Sequence, residues 1–289
     1  MKYGIYYAYW EKQWGGDYIR YPEKVAKLGF DVLEISCAGV ADMTDGQIDA
    51  LNRAAGDSGI SLSGNYGPKP EEDITSSDPA IVRNAFEFWR RTFAALEKLH
   101  ISFVAGALYS YWPVDYSKKV NKAEDRARSV AEMKKLARIA AGHGITLGME
   151  VLNRFEGYIL NTSEEAVAYV LDVGEPNVKV MLDTFHMNIE EDSITEAIRT
   201  AGDLLGHVHA GEANRRPPRP GGRFDWQDIG AALREIGYDA TIVMEPFVMS
   251  GGQVGDDIKV WRDLVADRGE DALDRDAAAS VKFLRETIG

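Results

Sequence analysis

Short apolar runs alternate with longer amphipathic segments along the whole chain. The apolar runs have the length of strands that are buried on both faces of a parallel sheet. They predict eight strands, at residues 2–8, 32–35, 60–64, 103–107, 146–151, 178–182, 205–209 and 240–244. The amphipathic segments predict helices, of which three cover residues 79–99, 122–141 and 274–287.

Capping signals support this division into strands and helices. Thr44 with Gln47 and Thr162 with Glu165 have the spacing of a capping box. Asp78 stands directly before a proline, which is typical of a first helical turn. Eight strand–helix units without a linker predict one (β/α)₈ barrel, a TIM barrel, as a single domain over residues 1–289.

Composition narrows the class of protein. The formal charge is −13, which disfavours nucleic-acid binding because phosphate contacts need clustered Lys and Arg. No apolar run reaches the ~18 residues of a membrane span, and the N-terminal sequence lacks the segments of a signal peptide. The only cysteine, Cys37, excludes an internal disulfide and a CxxC motif. We therefore expect a cytoplasmic protein that binds neither nucleic acid nor membrane.

Ligand-type side chains stand at the ends of four consecutive predicted strands. Glu150, Asp183, His209 and Glu245 are separated by 33, 26 and 36 residues, each about one βα unit. Active sites of TIM barrels lie at the C-terminal ends of the strands, so these side chains should converge. Three carboxylates and one imidazole form an oxygen-rich set that suits Mn²⁺, Mg²⁺ or Co²⁺, with zinc still open. The pattern predicts a shared metal site.

Several other residues have competing interpretations. His207 should face the same side of its strand as His209, and we expect it to pack against or support the site. His143, between two glycines at a helix end, is interpreted as a cap or surface residue. The tryptophans Trp10 and Trp14 fit either a subunit interface or the bottom of the barrel. Residues 251–257 are glycine-rich and predict a mobile loop that borders the site.

Seven stretches of the sequence form recognisable motifs: GIYYAYW, GALYSYWP, EVLNRFE, VMLDTFHMNIEEDS, GHVHAGE, VMEPF and IKVWRD. Together they span essentially the whole chain and resemble the ketose 3-epimerases, the family of D-tagatose 3-epimerase and D-psicose (D-allulose) 3-epimerase. The resemblance implies a xylose isomerase-like barrel. It also implies that the four residues at the strand ends bind Mn²⁺ or Co²⁺, with Mg²⁺ a further candidate.

The resemblance assigns further roles to individual residues. It implies that Glu150 and Glu245 are the catalytic acid/bases. The residues that it implies for substrate binding are Tyr6, Trp14, Ala107, Trp112, Glu156, His186, Arg215 and Phe247. The chain departs from the family pattern at residues 65–67 and 215–223, which bear on the preferred sugar.

The chemistry of a C3 epimerisation explains why two glutamates are needed. The reaction removes the proton next to the C2 carbonyl and returns one to the opposite face of a cis-enediolate. One base is required for each face, and Glu150 and Glu245 can flank the sugar. We expect D-psicose and D-fructose to be the pair, with D-tagatose or L-ribulose as alternative ketoses.

Other functions on the same barrel are kept open. An aldose–ketose isomerase differs only in where the proton is returned. An endonuclease would need more His ligands than the 5 histidines present allow, together with a basic groove. A non-catalytic sugar-binding protein would not need two glutamates at a metal site. The expected partner is a small ketose, and we expect a homodimer or homotetramer.

Overall fold

Eight parallel strands close into a barrel in chain order. The computed structural model describes residues 1–289. The strands are β1 (Lys2–Tyr6), β2 (Val32–Ser36), β3 (Ser61–Asn65), β4 (Phe103–Gly106), β5 (Thr146–Glu150), β6 (Val178–Asp183), β7 (Leu205–Ala210) and β8 (Thr241–Met244). Pairing of β1 with β8, with Lys2 opposite Thr241, completes the ring. All eight predicted strands are present.

Helices surround the barrel and follow the strands. They are α1 (Tyr21–Leu28), α2 (Asp45–Ser58), α3 (Pro79–Lys98), α4 (Lys122–Gly142), α5 (Ser163–Val173), α6 (Thr184–Glu190), α7 (Ile194–Ala201), α8 (Trp226–Glu235), α9 (Gly252–Ile258) and α10 (Glu270–Ile288). Strands such as β2 are buried at every position because helices cover the outside and side chains fill the inside. None of the helices is long and apolar enough to cross a bilayer.

The first strand is shorter than the sequence predicts. It ends at Tyr6, and the buried residues Tyr7–Trp10 form a 3₁₀ turn. The predicted extension to Ala8 is wrong because an apolar run alone does not distinguish a strand from a buried helical turn. The Tyr7 ring packs edge-on against Tyr18, with ring centroids 4.9 Å apart, which holds this turn in the core.

The predicted helix starts are present, with one difference in detail. Thr44 and Gln47 form the predicted capping box. Thr162 also caps its helix by accepting from the backbone N–H of Glu165. In a complete capping box the Glu165 carboxylate would accept from the backbone N–H of Thr162. It instead accepts from the backbone N–H of Asn161, one residue earlier, at 2.8 Å.

The structure corrects one prediction and excludes one of the two interpretations of Trp10. The glycine-rich segment is not a loop throughout, because Gly252–Ile258 forms α9. Trp10 follows the C-terminal end of β1 and therefore lies at the top of the barrel, not at its bottom. Its indole N–H donates to Asp274 at 2.7 Å, which ties the first βα connection to α10.

Candidate active site

Four buried side chains meet at the C-terminal end of the barrel. Glu150 and Asp183 end β5 and β6, His209 lies near the end of β7, and Glu245 follows β8. The register places Asp183 opposite His209. One ligand atom from each of the four lies within 4.8 Å of the others. The structure therefore brings together the residues that the sequence placed at four separate strand ends.

The residues present fit a divalent cation. Nδ1 of His209 is buried without a hydrogen-bond partner, and it lies 3.4 Å from Oε2 of Glu245. Nη1 of Arg215 donates to Asp183 at 2.8 Å and to Glu245 at 3.0 Å. In the deprotonated forms that bind a metal, three carboxylates against one guanidinium carry two uncompensated negative charges in a buried site, and burial of unpaired charge is costly. A divalent cation matches both the charge and the free imidazole nitrogen.

Burial and neighbouring charges perturb the titration of two of these groups. Burial raises the pKa of Glu150 well above its ordinary value, and the charge of Glu245 raises it further. Burial alone would lower the pKa of His209, but the charges of Glu245 and Glu34 outweigh it and raise that pKa well above the ordinary value. Perturbed groups of this kind in a cleft are typical of functional sites.

Glu34 is a site residue that sequence reasoning missed. It lies within β2, fully buried, and its Oε1 is 2.7 Å from Nε2 of His209. Its other oxygen is 3.0 Å from Nε2 of His207 and accepts from Ser63 at 2.9 Å. The sequence does contain one indication of a buried functional carboxylate here, namely a single acidic residue inside the apolar strand VLEIS. A carboxylate behind a ligating histidine fixes which nitrogen faces the metal.

His207 supports this arrangement from below. Its ring stacks on Phe103, with centroids 5.1 Å apart. It also packs edge-on against His209, with centroids 5.3 Å apart. These contacts agree with the packing and supporting role expected from the strand periodicity.

A cavity of about 650 Å³ opens above the four convergent residues. All eight residues assigned to substrate binding line it, as do Glu150 and Glu245. Asp183 and His209 do not line it, because they lie deeper, at 1% and 0% exposure. The site thus consists of a cavity that can admit a small molecule and, beneath it, the buried side chains of Asp183 and His209.

Aromatic rings form one wall of the cavity. Trp14 packs edge-on against Trp112 and against Phe247, each with ring centroids 6.2 Å apart. The indole N–H of Trp14 donates to Asp257 of α9 at 2.7 Å. Trp14 therefore belongs to the cavity and not to the barrel bottom. Aromatic faces of this kind suit the apolar faces of a sugar.

Polar side chains form another part of the cavity lining. Arg215 is 4% exposed and has a φ of 65°. Its backbone is fixed on both sides, by donation to the carbonyl of Glu212 at 2.8 Å and acceptance from the N–H of Phe247 at 2.9 Å. A non-glycine residue held in this conformation is typical of functional sites. Although residues 215–223 depart from the family pattern, Arg215 therefore still lies in the site.

His186 and Glu156 complete the polar part. Burial, and then the charge of Arg215, lower the pKa of His186 to about 3, so its imidazole is neutral. Oε2 of Glu156 accepts from the indole N–H of Trp112 at 3.2 Å. Ala107, directly after β4, leaves room beside them because it carries only a methyl group.

Sequence reasoning also missed part of the cavity lining. Asn65, Tyr66 and Gly67, noted only as a departure from the family pattern, line it from the last residue of β3 and the loop that follows. Gln253 and Asp257 line it from α9, in agreement with the prediction that residues 251–257 border the site. The glycine content of α9 concealed its helical character.

Comparison with known proteins agrees with this architecture. A family model described as a xylose isomerase-like TIM barrel matches residues 22–286. The chain belongs to this family. Within it, the chain is 51% identical to the D-psicose 3-epimerase of Enterocloster bolteae, with 100% of this chain and 96% of the relative covered. It is 50% identical to the D-psicose 3-epimerase of Agrobacterium fabrum, with 100% of both covered.

The chain is a member of the ketose 3-epimerase family, and solved structures of D-psicose 3-epimerases resemble it over its full length. A D-psicose 3-epimerase crystallised in the presence of D-fructose is 49% identical and superposes with a TM-score of 0.98 over 100% of both chains. A D-psicose 3-epimerase with D-tagatose, from Clostridium cellulolyticum H10, is 51% identical with a TM-score of 0.98 over 100% of this chain and 99% of that one. The chain is an isomerase of the epimerase class.

Proposed function

We propose that this epimerase interconverts D-psicose and D-fructose by inverting C3 of the free ketose. Relatives named for D-psicose support the choice of sugar. The observation that carries the proposal is the placement of Glu150 and Glu245. Both reach the cavity, at 7% and 9% exposure, from strands that are three positions apart in the ring. A sugar between them has a carboxylate available to each face.

Two acid/bases account for the inversion. One glutamate removes the C3 proton, which is acidic because the C2 carbonyl is adjacent. The other glutamate gives a proton to the opposite face of the planar cis-enediolate. The roles of Glu150 and Glu245 exchange in the reverse reaction.

The metal ligands in this proposal are Glu150, Asp183, His209 and Glu245, and the donor set suits Mn²⁺ or Co²⁺, with Mg²⁺ as a further candidate. When bound, such an ion supplies Lewis-acid polarisation of the carbonyl and stabilises negative charge on oxygen. Glu34 orients His209 so that Nδ1 faces the other ligands.

The polar side chains hold the reacting end of the sugar. Arg215 and His186 donate hydrogen bonds to oxygens on which charge develops, and Glu156 exchanges protons with a hydroxyl group. Tyr6, Trp14, Trp112 and Phe247 enclose the carbon chain and exclude water, with Ala107 leaving room for the ring or open chain.

We also infer that the chain forms a homodimer or homotetramer. Support comes from exposed aromatic side chains, namely Tyr116 at 44%, Phe155 at 73% and Trp261 at 70% exposure. Exposed aromatic groups of this size are typical of interfaces. Light scattering at micromolar concentration should give a multiple of the 32.0 kDa chain mass. A monomer would refute the inference.

A substrate comparison tests the proposed function. D-psicose, D-fructose, D-tagatose and L-ribulose are each incubated with the chelated enzyme and with the enzyme reloaded with Mn²⁺, and products are separated by chromatography. We expect turnover only with metal, and the highest kcat/KM for the D-psicose and D-fructose pair. A preference for D-tagatose or L-ribulose above about tenfold, or ~1.4 kcal/mol in transition-state binding, would overturn the choice of sugar. Formation of an aldose alone would identify an aldose–ketose isomerase instead.

A further inference from the structure

Asn153 joins two of the side chains that line the cavity without lining it itself. It lies in the loop after β5 and is 1% exposed. Its Nδ2 donates to Nδ1 of His186 at 2.8 Å and to Oε1 of Glu156 at 3.0 Å. Its Oδ1 accepts from the backbone N–H of Phe155 at 2.9 Å. Both N–H groups and the oxygen of this amide therefore have a partner within the protein.

The partners fix the orientation of the amide. A backbone N–H can only donate, so the end that faces Phe155 must be Oδ1. The nitrogen end then faces Oε1 of Glu156, to which Nδ2 donates. The oxygen and nitrogen of an amide have nearly the same shape, but the contact with Phe155 distinguishes them. Asn153 therefore presents an N–H to His186.

This orientation determines the tautomer of His186. Nδ1 of that ring also receives the backbone N–H of Asn153, at 3.2 Å. An imidazole nitrogen that receives two N–H donors carries no proton of its own. In a neutral imidazole the proton is then on Nε2.

Nε2 of His186 faces the cavity side of the site, where Nη2 of Arg215 directs an N–H toward it at 3.3 Å. This single donor competes with the two donors on Nδ1, at 2.8 and 3.2 Å. Because a neutral imidazole must carry its proton on one nitrogen, the two shorter contacts leave it on Nε2, and the Arg215 N–H is then available to a bound molecule. Oxygens of Glu150 and Asp183 are 3.8 Å away, beyond hydrogen-bond distance. Two N–H donors thus converge on one region of the cavity, an arrangement suited to an oxygen that becomes negative.

We propose that Asn153 is a positioning residue that holds His186 in the Nε2–H tautomer, so that His186 donates to a substrate oxygen at the reacting end of the sugar. The identity of that oxygen rests on the proposed epimerase function. The tautomer itself follows from contacts within the protein. Asn153 acts through His186 and Glu156 and does not touch the substrate.

The test exchanges donor for acceptor at constant shape, in Asn153→Asp. The ring nitrogens of ¹⁵N-histidine-labelled enzyme, loaded with diamagnetic Mg²⁺ and free of sugar, are observed by long-range proton–nitrogen NMR. The chain has only 5 histidines, and the His186 signals are assigned by their loss in His186→Gln. We expect Nε2–H with unprotonated Nδ1 in the natural chain and a protonated Nδ1 in Asn153→Asp. Either a protonated Nδ1 in the natural chain or an unchanged tautomer in the variant would overturn the proposal.

Asn161→Asp is the matched control. Asn161 lies in the same loop, and its Nδ2 donates to the carbonyls of Leu152 and Gly157, each at 2.9 Å, without touching His186. This variant should keep the Nε2–H tautomer. The same tautomer change in Asn161→Asp would show that loop distortion, and not the Asn153 contact, controls the ring.

Kinetics supply the second readout. Loss of a donor to developing charge should lower kcat by about 100-fold, with a smaller change in KM. The same comparison is made in a Glu156→Gln background, because a glutamine amide can donate to the introduced carboxylate and removes its repulsion with Glu156. A kcat unchanged by Asn153→Asp in that background would refute the role of His186 as a donor. If the natural chain epimerised no ketose, the proposed function would fail, whereas the NMR result on the tautomer would stand.

Discussion

The two halves of the barrel contribute differently to the site. Strands β5 to β8 present Glu150, Asp183, His209 and Glu245 at their ends. Strands β1 to β4 present uncharged residues there, and the cavity wall that they provide includes Tyr6, Ser36, Asn65 and Ala107. One half therefore supplies the charged side chains, including the two acid/bases of the proposed reaction, and the other mainly shapes the cavity. Glu34 on β2 is the exception, because it crosses beneath the cavity to reach His209 on β7.

The largest effect is expected from the charged half, in Glu150→Gln and Glu245→Gln. Each variant removes the acid/base for one face of the sugar, so kcat for net inversion should fall by about 100- to 10,000-fold. The remaining glutamate can still remove and return a proton on its own face. Incubation in heavy water should then label C3 of one epimer without converting it, as detected by mass spectrometry and NMR.

Both glutamates are also proposed ligands, so metal content must be measured alongside activity. Glutamine keeps an oxygen donor, and variants with full metal occupancy decide the question. A metal-loaded variant that interconverts D-psicose and D-fructose at nearly the natural kcat would show that its glutamate is not an essential base.

A weaker effect is expected from Glu34→Gln. Glu34 is the carboxylate that the half formed by β1 to β4 contributes beneath the cavity, where it contacts His209. Glutamine offers only one acceptor where Glu34 meets both His209 and His207. Loss of such a supporting carboxylate should weaken Mn²⁺ affinity by about 10- to 100-fold, measured by equilibrium dialysis. Glu72→Gln is the matched control, because Glu72 is also buried but accepts from Tyr66 and the backbone of Lys69. Equal weakening by both variants would contradict the special role of Glu34.

A smaller effect on binding is expected from the aromatic wall. Trp112→Ala removes a ring that packs with Trp14 and donates to Glu156. KM should rise by about tenfold, in line with the ~0.5–1.5 kcal/mol of an aromatic contact, and kcat should change less. Trp261→Ala is the control for loss of a tryptophan outside the cavity, because Trp261 is 70% exposed and does not line it. Steady-state kinetics that showed a larger loss in kcat than in KM for Trp112→Ala would place that residue in the chemical step.

The smallest effect on catalysis is expected from a substitution in the helices that surround strands β5 to β8. A Cβ at Gly230 in α8 would lie 2.8 Å from Cα of Ile288 in α10. Gly230→Ala should therefore destabilise the fold by ~1–3 kcal/mol and lower Tm, while kcat/KM of the folded enzyme stays unchanged. In Gly46→Ala, by contrast, the added methyl group meets nothing within 4 Å, and the higher helix propensity of alanine should raise stability. A catalytic defect in Gly230→Ala would show that the chemistry is not confined to the strand ends.

The repeated strand and helix signals were sufficient to predict the barrel. A buried parallel strand has a local signature, and eight of them in order leave few other topologies. The same logic predicted the convergence of Glu150, Asp183, His209 and Glu245, because the strand ends of a barrel meet at one rim. The cavity residues came from resemblance of motifs and not from periodicity, and the structure places all eight of them in one cavity.

Contacts between distant parts of the chain were decided only by the tertiary structure. Glu34 and His209 are 175 positions apart, and nothing near either residue specifies their hydrogen bond. Asn153 and His186 are 33 positions apart, and the direction of their hydrogen bond depends on a third partner, Phe155. Local patterns determine which face a side chain takes, whereas hydrogen-bond direction and ring tautomer depend on all groups that surround a buried atom.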